Sequence, residues 1–394
     1  TDVPIILLMC INIIRHPTKP DEEAFMDRHI PLIISEGDPF TRGFHLGHSE
    51  TERVIHTITA YMEIFAHMSR LKRDAVFTYA ERFIPSIASY APHLLEEMRG
   101  IAEGAGRDLR EIIAINARTE LMYGVTQRPE CTSIGIVATA STDGHIRLAQ
   151  NWDWRPTLAG SLILWALHFD EGLDVLTLTE AGMVGKIGTN SSGLAMCINL
   201  LKSDTDYAGP AVPMHIILRR VLEEAHSVEE AILIIGTTER CTSCFHMLAD
   251  RGGALAGVEA TPAGQYVLRS TSGVLTHTNH CVRPDLFIHD NNARDYPETL
   301  ARGERAQSLA SEQKIDEYFL HSILADHETS PGSICLHVES GIPLVENYES
   351  IASIIFDVTA GAVDIAEGPP CENPYRRLLL HDCLRVTSYR QRGY

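Results

Sequence analysis

The stretch Arg128-Pro129-Glu130-Cys131-Thr132-Ser133 marks the point at which the chain changes its period. Upstream, residues 50–124 carry apolar side chains three and four apart, as in Val54, Ile58, Tyr61, Met62 and Phe65, the spacing of one helix face. A helix is expected over 91–104, with Leu94, Leu95, Met98 and Ile101 on one side and Gly104 as its stop. Asp108 reads as the N-cap of the next helix. Downstream, segments 132–139, 145–150, 161–168 and 173–179 are short, rich in Ile, Val, Thr and Leu, and punctuated by Gly, Asp and Asn. These are expected to be antiparallel strands. Helices follow at 212–225 and 227–235, and strands at 244–249, 254–260, 265–269 and 273–278. A helical stretch over 298–323 and late strands near 334–338 and 351–357 complete the pattern. Helices first, then strands, then both again indicate an α+β layered fold.

Composition removes several function classes. The 394 residues include 33 basic and 52 acidic ones, a net charge of −19, and a field of that sign repels phosphate backbones. No nucleic-acid partner is expected, although a local basic pocket can still hold a small anion. The longest apolar run, Val3–Ile11, is too short to cross a bilayer as a helix and lacks the basic start and cleavage site of a secretory signal. Arg392-Gly393-Tyr394 is not a peroxisomal address. Nine cysteines are too few for a disulfide scaffold. A cytoplasmic, reducing location without membrane attachment is expected.

The common catalytic signatures are missing: there is no Walker A loop, no His-Glu-x-x-His and no Gly-x-Ser-x-Gly elbow. One Cys-x-x-Cys pair occurs, Cys241-Thr242-Ser243-Cys244. With His277 and Cys281 it could form the zinc site of a binding or regulatory protein. Against this, the pair opens an apolar strand in which cysteine acts as a small hydrophobe, and no metal or cofactor is expected. Cys131 is the more informative cysteine. Three other blocks, Gln150-Asn151-Trp152-Asp153-Trp154, Glu180-Ala181-Gly182 through Asn190-Ser191-Ser192-Gly193, and His277-Thr278-Asn279-His280-Cys281, put short polar groups in or beside strand text. Such groups destabilise a strand unless they are hydrogen-bonded or functional.

These blocks carry a resemblance. Gly37-Asp38-Pro39-Phe40 with Gly43 and Gly47, Arg99-Gly100-Ile101-Ala102-Glu103-Gly104-Ala105, Asn116-Ala117-Arg118-Thr119-Glu120, Cys131-Thr132-Ser133, Asn151-Trp152-Asp153, Glu180-Ala181-Gly182, Gly185-Lys186-Ile187-Gly188, His277 to Cys281 and Ser333-Ile334-Cys335 follow one another over residues 30–360. In that order the chain resembles the acyl-coenzyme A:6-aminopenicillanate (isopenicillin N) acyltransferase family of N-terminal-nucleophile hydrolases.

The resemblance implies a four-layer αββα sandwich made as one precursor that cuts itself between Glu130 and Cys131. Residues 1–29 read as an extension with no counterpart in the family; the resemblance divides the rest into a helical leader at 30–130 and a catalytic part at 131–394, co-folded as a cleaved heterodimer. It implies that Cys131 is the nucleophile, that Asn279 donates to the oxyanion, that Asp153 orients the new amine and that Ser133 assists processing. Trp154 and Arg155 are the expected substrate contacts. The partners implied are a small amide or an acyl-CoA, as a co-substrate, and an amine; water as acceptor would make the enzyme an amidohydrolase. One departure stands out. Where the penicillin enzymes carry a pocket arginine, this chain reads Val345-Glu346-Asn347-Tyr348-Glu349-Ser350, so amides of neutral or cationic amines are expected to be preferred over a carboxylate-bearing penicillin nucleus.

Overall fold

A computed structural model describes residues 27–122, 130–282, 290–330 and 332–385. The expected extension at 1–29 therefore lies almost wholly outside the described residues. Two sheets form the centre. The larger runs, in spatial order, Leu32–Glu36, Leu162–His168, Val175–Glu180, Ile187–Asn190, Leu194–Leu200, Cys244–Asp250, Leu255–Thr261 and Gly264–Leu268. The smaller runs Val274–His277, Glu130–Ile136, Arg147–Trp154, Glu349–Asp357, Ala362–Ala366 and Arg376–Leu379. Pairing is antiparallel except for Leu32–Glu36, which lies parallel to Leu162–His168 at the edge of the larger sheet.

The sheets face each other, with Glu130–Ile136 and Arg147–Trp154 packed on Leu194–Leu200 and Cys244–Asp250. Helices Met214–Glu224 and Val228–Thr237 cover the outer face of the larger sheet, and helix Glu298–Glu312 covers the smaller one. The result is the expected αββα sandwich. Alternation along Glu130–Ile136 follows from these layers, because successive strand side chains point to opposite faces. Ile134 and Ile136 join the cluster with Ala306, Ala310 and Leu320 under the covering helices. Cys131, Ser133 and Gly135 face the other sheet. Gly135 lies against the opposite sheet, where a Cβ would stand 2.4 Å from Leu255 Cδ1 and that side chain would have to move.

The upstream helices are tied to this frame in two ways. Helices Pro39–Ser49 and Pro92–Gly104 touch through backbone, since a Cβ on Gly43 would sit 1.9 Å from Glu97 O and one on Gly100 would sit 2.1 Å from Phe40 O. That contact explains four of the glycines in the motif blocks. The second tie is ionic. Buried Glu97 accepts from Arg219 at 2.8 Å and from Arg42 at 3.0 Å, joining Pro92–Gly104 to Met214–Glu224. A buried carboxylate between two guanidiniums leaves a costly bare charge if either partner is removed.

Two expectations are corrected. Residues 334–338 form no strand, because their backbone groups bond to single partners instead of a ladder: Cys335 N donates to Asp326 O and Ser350 N donates to Leu336 O. The helical stretch over 298–323 is two helices, Glu298–Glu312 and Glu317–Leu324, the second restarted by Asp316, which accepts from Phe319 N at 2.8 Å. No described helix is long and apolar enough to cross a membrane.

Candidate active site

Cys131 pairs with Trp152 across the antiparallel ladder, which sets Asp153 beside it on the neighbouring strand. Its backbone N donates to Asn279 Oδ1 at 2.7 Å, and its Sγ lies 4.0 Å from Asp153 O. Asn279 follows strand Val274–His277 and is fully buried. Thr299 Oγ1 accepts from its backbone N at 2.9 Å, and Asn292 Nδ2 donates to its carbonyl at 2.9 Å. Arg302 Nη2 adds a second donor to Asn279 Oδ1 at 2.8 Å, while Asn279 Nδ2 donates to Leu200 O at 3.1 Å. Two donors on one side and an acceptor on the other fix which way the amide points.

Asp153 is fully buried, and its Oδ1 accepts from Ser350 Oγ at 2.6 Å. The pairing register of Glu349–Asp357 shifts between Ser350 and Ala352, beside the position where Ser350 faces Asp153. Ser133 does not reach Cys131 itself. It donates to Asn199 Oδ1 at 2.5 Å, and Asn199 Nδ2 donates to the carbonyl of Cys131 at 3.0 Å. Ser133 therefore acts on the cysteine through a residue of the opposite sheet.

Electrostatics adds Lys186, buried, with Nζ 3.4 Å from the centre of the Trp152 ring and 3.5 Å from Glu180 Oε2. Burial pulls its pKa down to about 7, offset in part by Glu180 and reinforced by the nearby Arg118 charge. Burial, helped by Asp153, pushes the Cys131 thiol up to about 12, so with its amide intact the cysteine is a neutral thiol at pH 7. Glu180 also accepts from Tyr61 Oη, which in turn accepts from Trp154 Nε1 at 3.0 Å.

Trp154 and Arg155 lie in one aromatic and cationic group. The Arg118 guanidinium lies 4.3 Å from the Trp154 ring centre, and that of Arg155 lies 4.0 Å from the Tyr348 ring. Both arginines are buried, and Nε and Nη1 of each have no hydrogen-bond partner among the described residues. Of the acidic neighbours expected to repel a carboxylate, Glu349 pairs with Arg28 at 2.8 Å, and Glu346 contacts His67 at 2.6 Å while its charge also acts on Arg155.

Cys131, Asp153 and Asn279 are thus brought together, Ser133 through Asn199, with Trp154 and Arg155 alongside. Asn199, Lys186, Arg118 and Arg302 were not singled out from sequence. An asparagine inside the apolar strand Leu194–Leu200 and the lysine of Gly185-Lys186-Ile187-Gly188 were the available signals. The alternative zinc set is not assembled. Cys241 and Cys244 aim their thiols at the carbonyls of Gly209 and Asn199, and His277 stacks on Phe245 at 3.5 Å with Nε2 3.0 Å from Glu259. The expected small-hydrophobe role for the cysteine pair fits these surroundings.

Residues 139–371, which begin downstream of Cys131, match the model of the acyl-coenzyme A:6-aminopenicillanic acid acyl-transferase family. The 40 kDa form of the acyl-coenzyme A:6-aminopenicillanic-acid-acyltransferase of Emericella nidulans is 27% identical over 348 residues, 87% of this chain and 93% of that protein. Protein dcd1A of Dictyostelium discoideum is 23% identical over 252 residues, 56% of this chain and 55% of that protein. Among solved structures, a mutant of the conjugated bile acid hydrolase from Clostridium perfringens is similar with a TM-score of 0.43 and 14% identity, covering 64% of this chain and 93% of its own. Penicillin V acylase from Agrobacterium tumefaciens is similar with a TM-score of 0.38 and 15% identity, covering 60% and 83%. With its match spanning more than half of the sequence, the chain belongs to the acyl-coenzyme A:6-aminopenicillanic acid acyl-transferase family.

Proposed function

We propose that the chain is a self-processing enzyme that uses Cys131 to transfer an acyl group from an amide or an acyl-CoA thioester to an amine. The observation that carries this is the 2.7 Å contact between the Cys131 nitrogen and an Asn279 amide held in place by Arg302. It is the arrangement required if that nitrogen is to become a positioned base.

Processing comes first. The Cys131 thiol adds to the carbonyl of Glu130, the peptide C–N bond breaks, and the acyl group rests on sulfur as a thioester that water hydrolyses. The freed α-amine has a reference pKa of about 7.7–8.0, near the working pH of a general base. Asn279 Oδ1 keeps this amine beside the thiol, and Ser133 with Asn199 holds the Cys131 carbonyl. The amine then takes the thiol proton, and the thiolate attacks the substrate carbonyl. The second N–H of Asn279 Nδ2 serves the tetrahedral oxyanion, the leaving amine or thiol departs with the proton, and an incoming amine receives the acyl group. Asp153 holds the ammonium during these steps, and a protonated Lys186 favours the thiolate.

The geometry alters the expected substrate preference. Around Trp154 the buried Lys186 and Glu180 pair with each other, while Arg118 and Arg155 add two guanidiniums whose Nε and Nη1 groups have no partner among the described residues and suit a carboxylate. A substrate bearing one is therefore favoured over a cationic amide. The strand Leu32–Glu36 and the Arg42–Glu97–Arg219 link support a leader that stays bound after the cut, as a heterodimer.

The test is denaturing electrophoresis with intact-mass measurement of the purified chain. Fragments of about 130 and 264 residues are expected, and a single full-length species from Cys131→Ala. Uncut wild type with full activity would sink the proposal. Incubation with acyl-CoA and carboxylate-bearing or cationic amines, against amide alone in water, separates transfer from hydrolysis.

A further inference from the structure

On the rim of the smaller sheet, three side chains within eleven residues, His327, Cys335 and His337, converge with the distant Cys371, and one donor atom of each lies within 4.8 Å of all the others. His327 Nε2 is 3.1 Å from His337 Nε2, Cys335 Sγ is 3.6 Å from Cys371 Sγ, and His337 Nε2 is 3.7 Å and 3.2 Å from the two sulfurs. A tetrahedral ion with bonds of about 2.0–2.1 Å to nitrogen and 2.3 Å to sulfur separates its ligand atoms by about 3.3–3.8 Å. The measured edges fall on or near that range. We propose that these two histidines and two cysteines form a structural site for a divalent zinc ion.

Three further features favour a metal over a cysteine pair alone. The sulfurs stand about 1.5 Å beyond disulfide bonding distance, which is a ligand edge, and both cysteines are free. Two imidazoles converge on the same centre, and a disulfide would leave them with no role there. The other ring nitrogen of His337, Nδ1, faces Glu372 Oε1 at 3.6 Å, the outer carboxylate that orients many metal-bound histidines. Four protein ligands close the coordination sphere, so the ion is structural and not a second catalytic centre. Two thiolates neutralise the ion's charge, and binding releases their two protons.

The site also has mechanical work to do. Residues 332–337 make no strand ladder, and Cys371 lies in the turn after Gly368-Pro369-Pro370. The ion joins these two irregular segments to each other and to His327. Between Cys335 and His337, Leu336 N donates to Ser350 Oγ at 3.0 Å, and the same hydroxyl donates to Asp153. The metal therefore fixes a loop that supports an active-site carboxylate.

Metal analysis of the reduced full-length protein is the test, after incubation with one equivalent of Zn²⁺ and desalting. One zinc per chain is expected, falling to none in Cys371→Ser and in His337→Ala. If either variant fails to fold, titration of wild type with Co²⁺ replaces it, and intense tetrahedral visible bands with thiolate-to-cobalt charge transfer are expected. Absence of retained zinc and of that spectrum would overturn the site. So would zinc retained undiminished in both variants, or a Cys335–Cys371 disulfide in the metal-free protein as purified.

Discussion

Two cysteine centres organise this molecule, and they are built in opposite ways. Cys131 is a single buried thiol in the seam between two sheets, surrounded by side chains that address its own backbone: Asn279 on its nitrogen and Asn199 on its carbonyl. Cys335 and Cys371 sit on the rim, where donors from three segments address one point in space. Under the proposed function the interior centre needs a rigid ladder, because a nucleophile must keep its geometry while its bonds change. The rim centre has no ladder and gains its rigidity from what it binds. Polar convergence alone does not identify a catalytic site; what the polar atoms converge on does.

The largest effect expected is at the interior centre. Cys131→Ala removes nucleophile and processing thiol together, so cleavage and acyl transfer should both vanish while the fold persists, as read by circular dichroism and intact mass. Retained transfer would erase the distinction between the two centres. Next in size, Asn279→Ala removes the amine's acceptor and an oxyanion donor, and turnover should fall roughly 100- to 1000-fold, with KM changed far less. Kinetics must be taken on material already cleaved, so that slow processing is not mistaken for slow transfer. Near-normal turnover would return Asn279 to a packing role.

A smaller effect concerns pH. The folded pKa of Lys186 lies well below its unfolded value, near 7. From about pH 10.5 down to 7 the unfolded chain binds a proton that the folded chain refuses, so this residue lowers stability progressively across that window and no further below it. Lys186→Met combined with Glu180→Gln, which avoids a bare carboxylate, should therefore gain thermal stability over wild type as pH falls to 7. The gap should then hold steady in thermal melts. A gap independent of pH would show the lysine to be solvated. The smallest change belongs to Cys241→Ser with Cys244→Ser, which should leave turnover and metal content unchanged. Zinc lost from that variant would move the metal centre away from the rim.

Much of the interior centre was legible because its parts lie where the period of the sequence changes. The helix-to-strand switch marks Cys131, and Asn151-Trp152-Asp153 falls in its partner strand, so pairing alone brings Asp153 beside it. The change of period indicated an α+β layered fold, and the four-layer αββα arrangement came only with the family resemblance. Asn199, Lys186 and Arg302 were not legible, because each is carried to the site by packing between layers, which local spacing does not encode. The rim centre was illegible for a stronger reason. His-x7-Cys-x-His separated from Cys371 by a whole hairpin resembles no ligand spacing, whereas Cys241-Thr242-Ser243-Cys244 resembles one and is not used as one. Apolar residues at 334–336 imitate a strand, but their side chains enter the core while their backbone bonds to Asp326 and Ser350. Short strands such as Ile187–Asn190 and Ala362–Ala366 escaped because few residues repeat before a turn.

The edge strand Leu32–Glu36 has a consequence for how the two halves of a cut chain would live together. It occupies the last place in the larger sheet and pairs over five residues with Leu162–His168, whose own residues are almost all buried. Were the leader ever to dissociate, that apolar strand would become an open border with unpaired amides, the kind of surface on which chains polymerise. If the chain is cut as proposed, the leader would act as a hem on the larger sheet, and the other fragment would be exposed to such polymerisation without it.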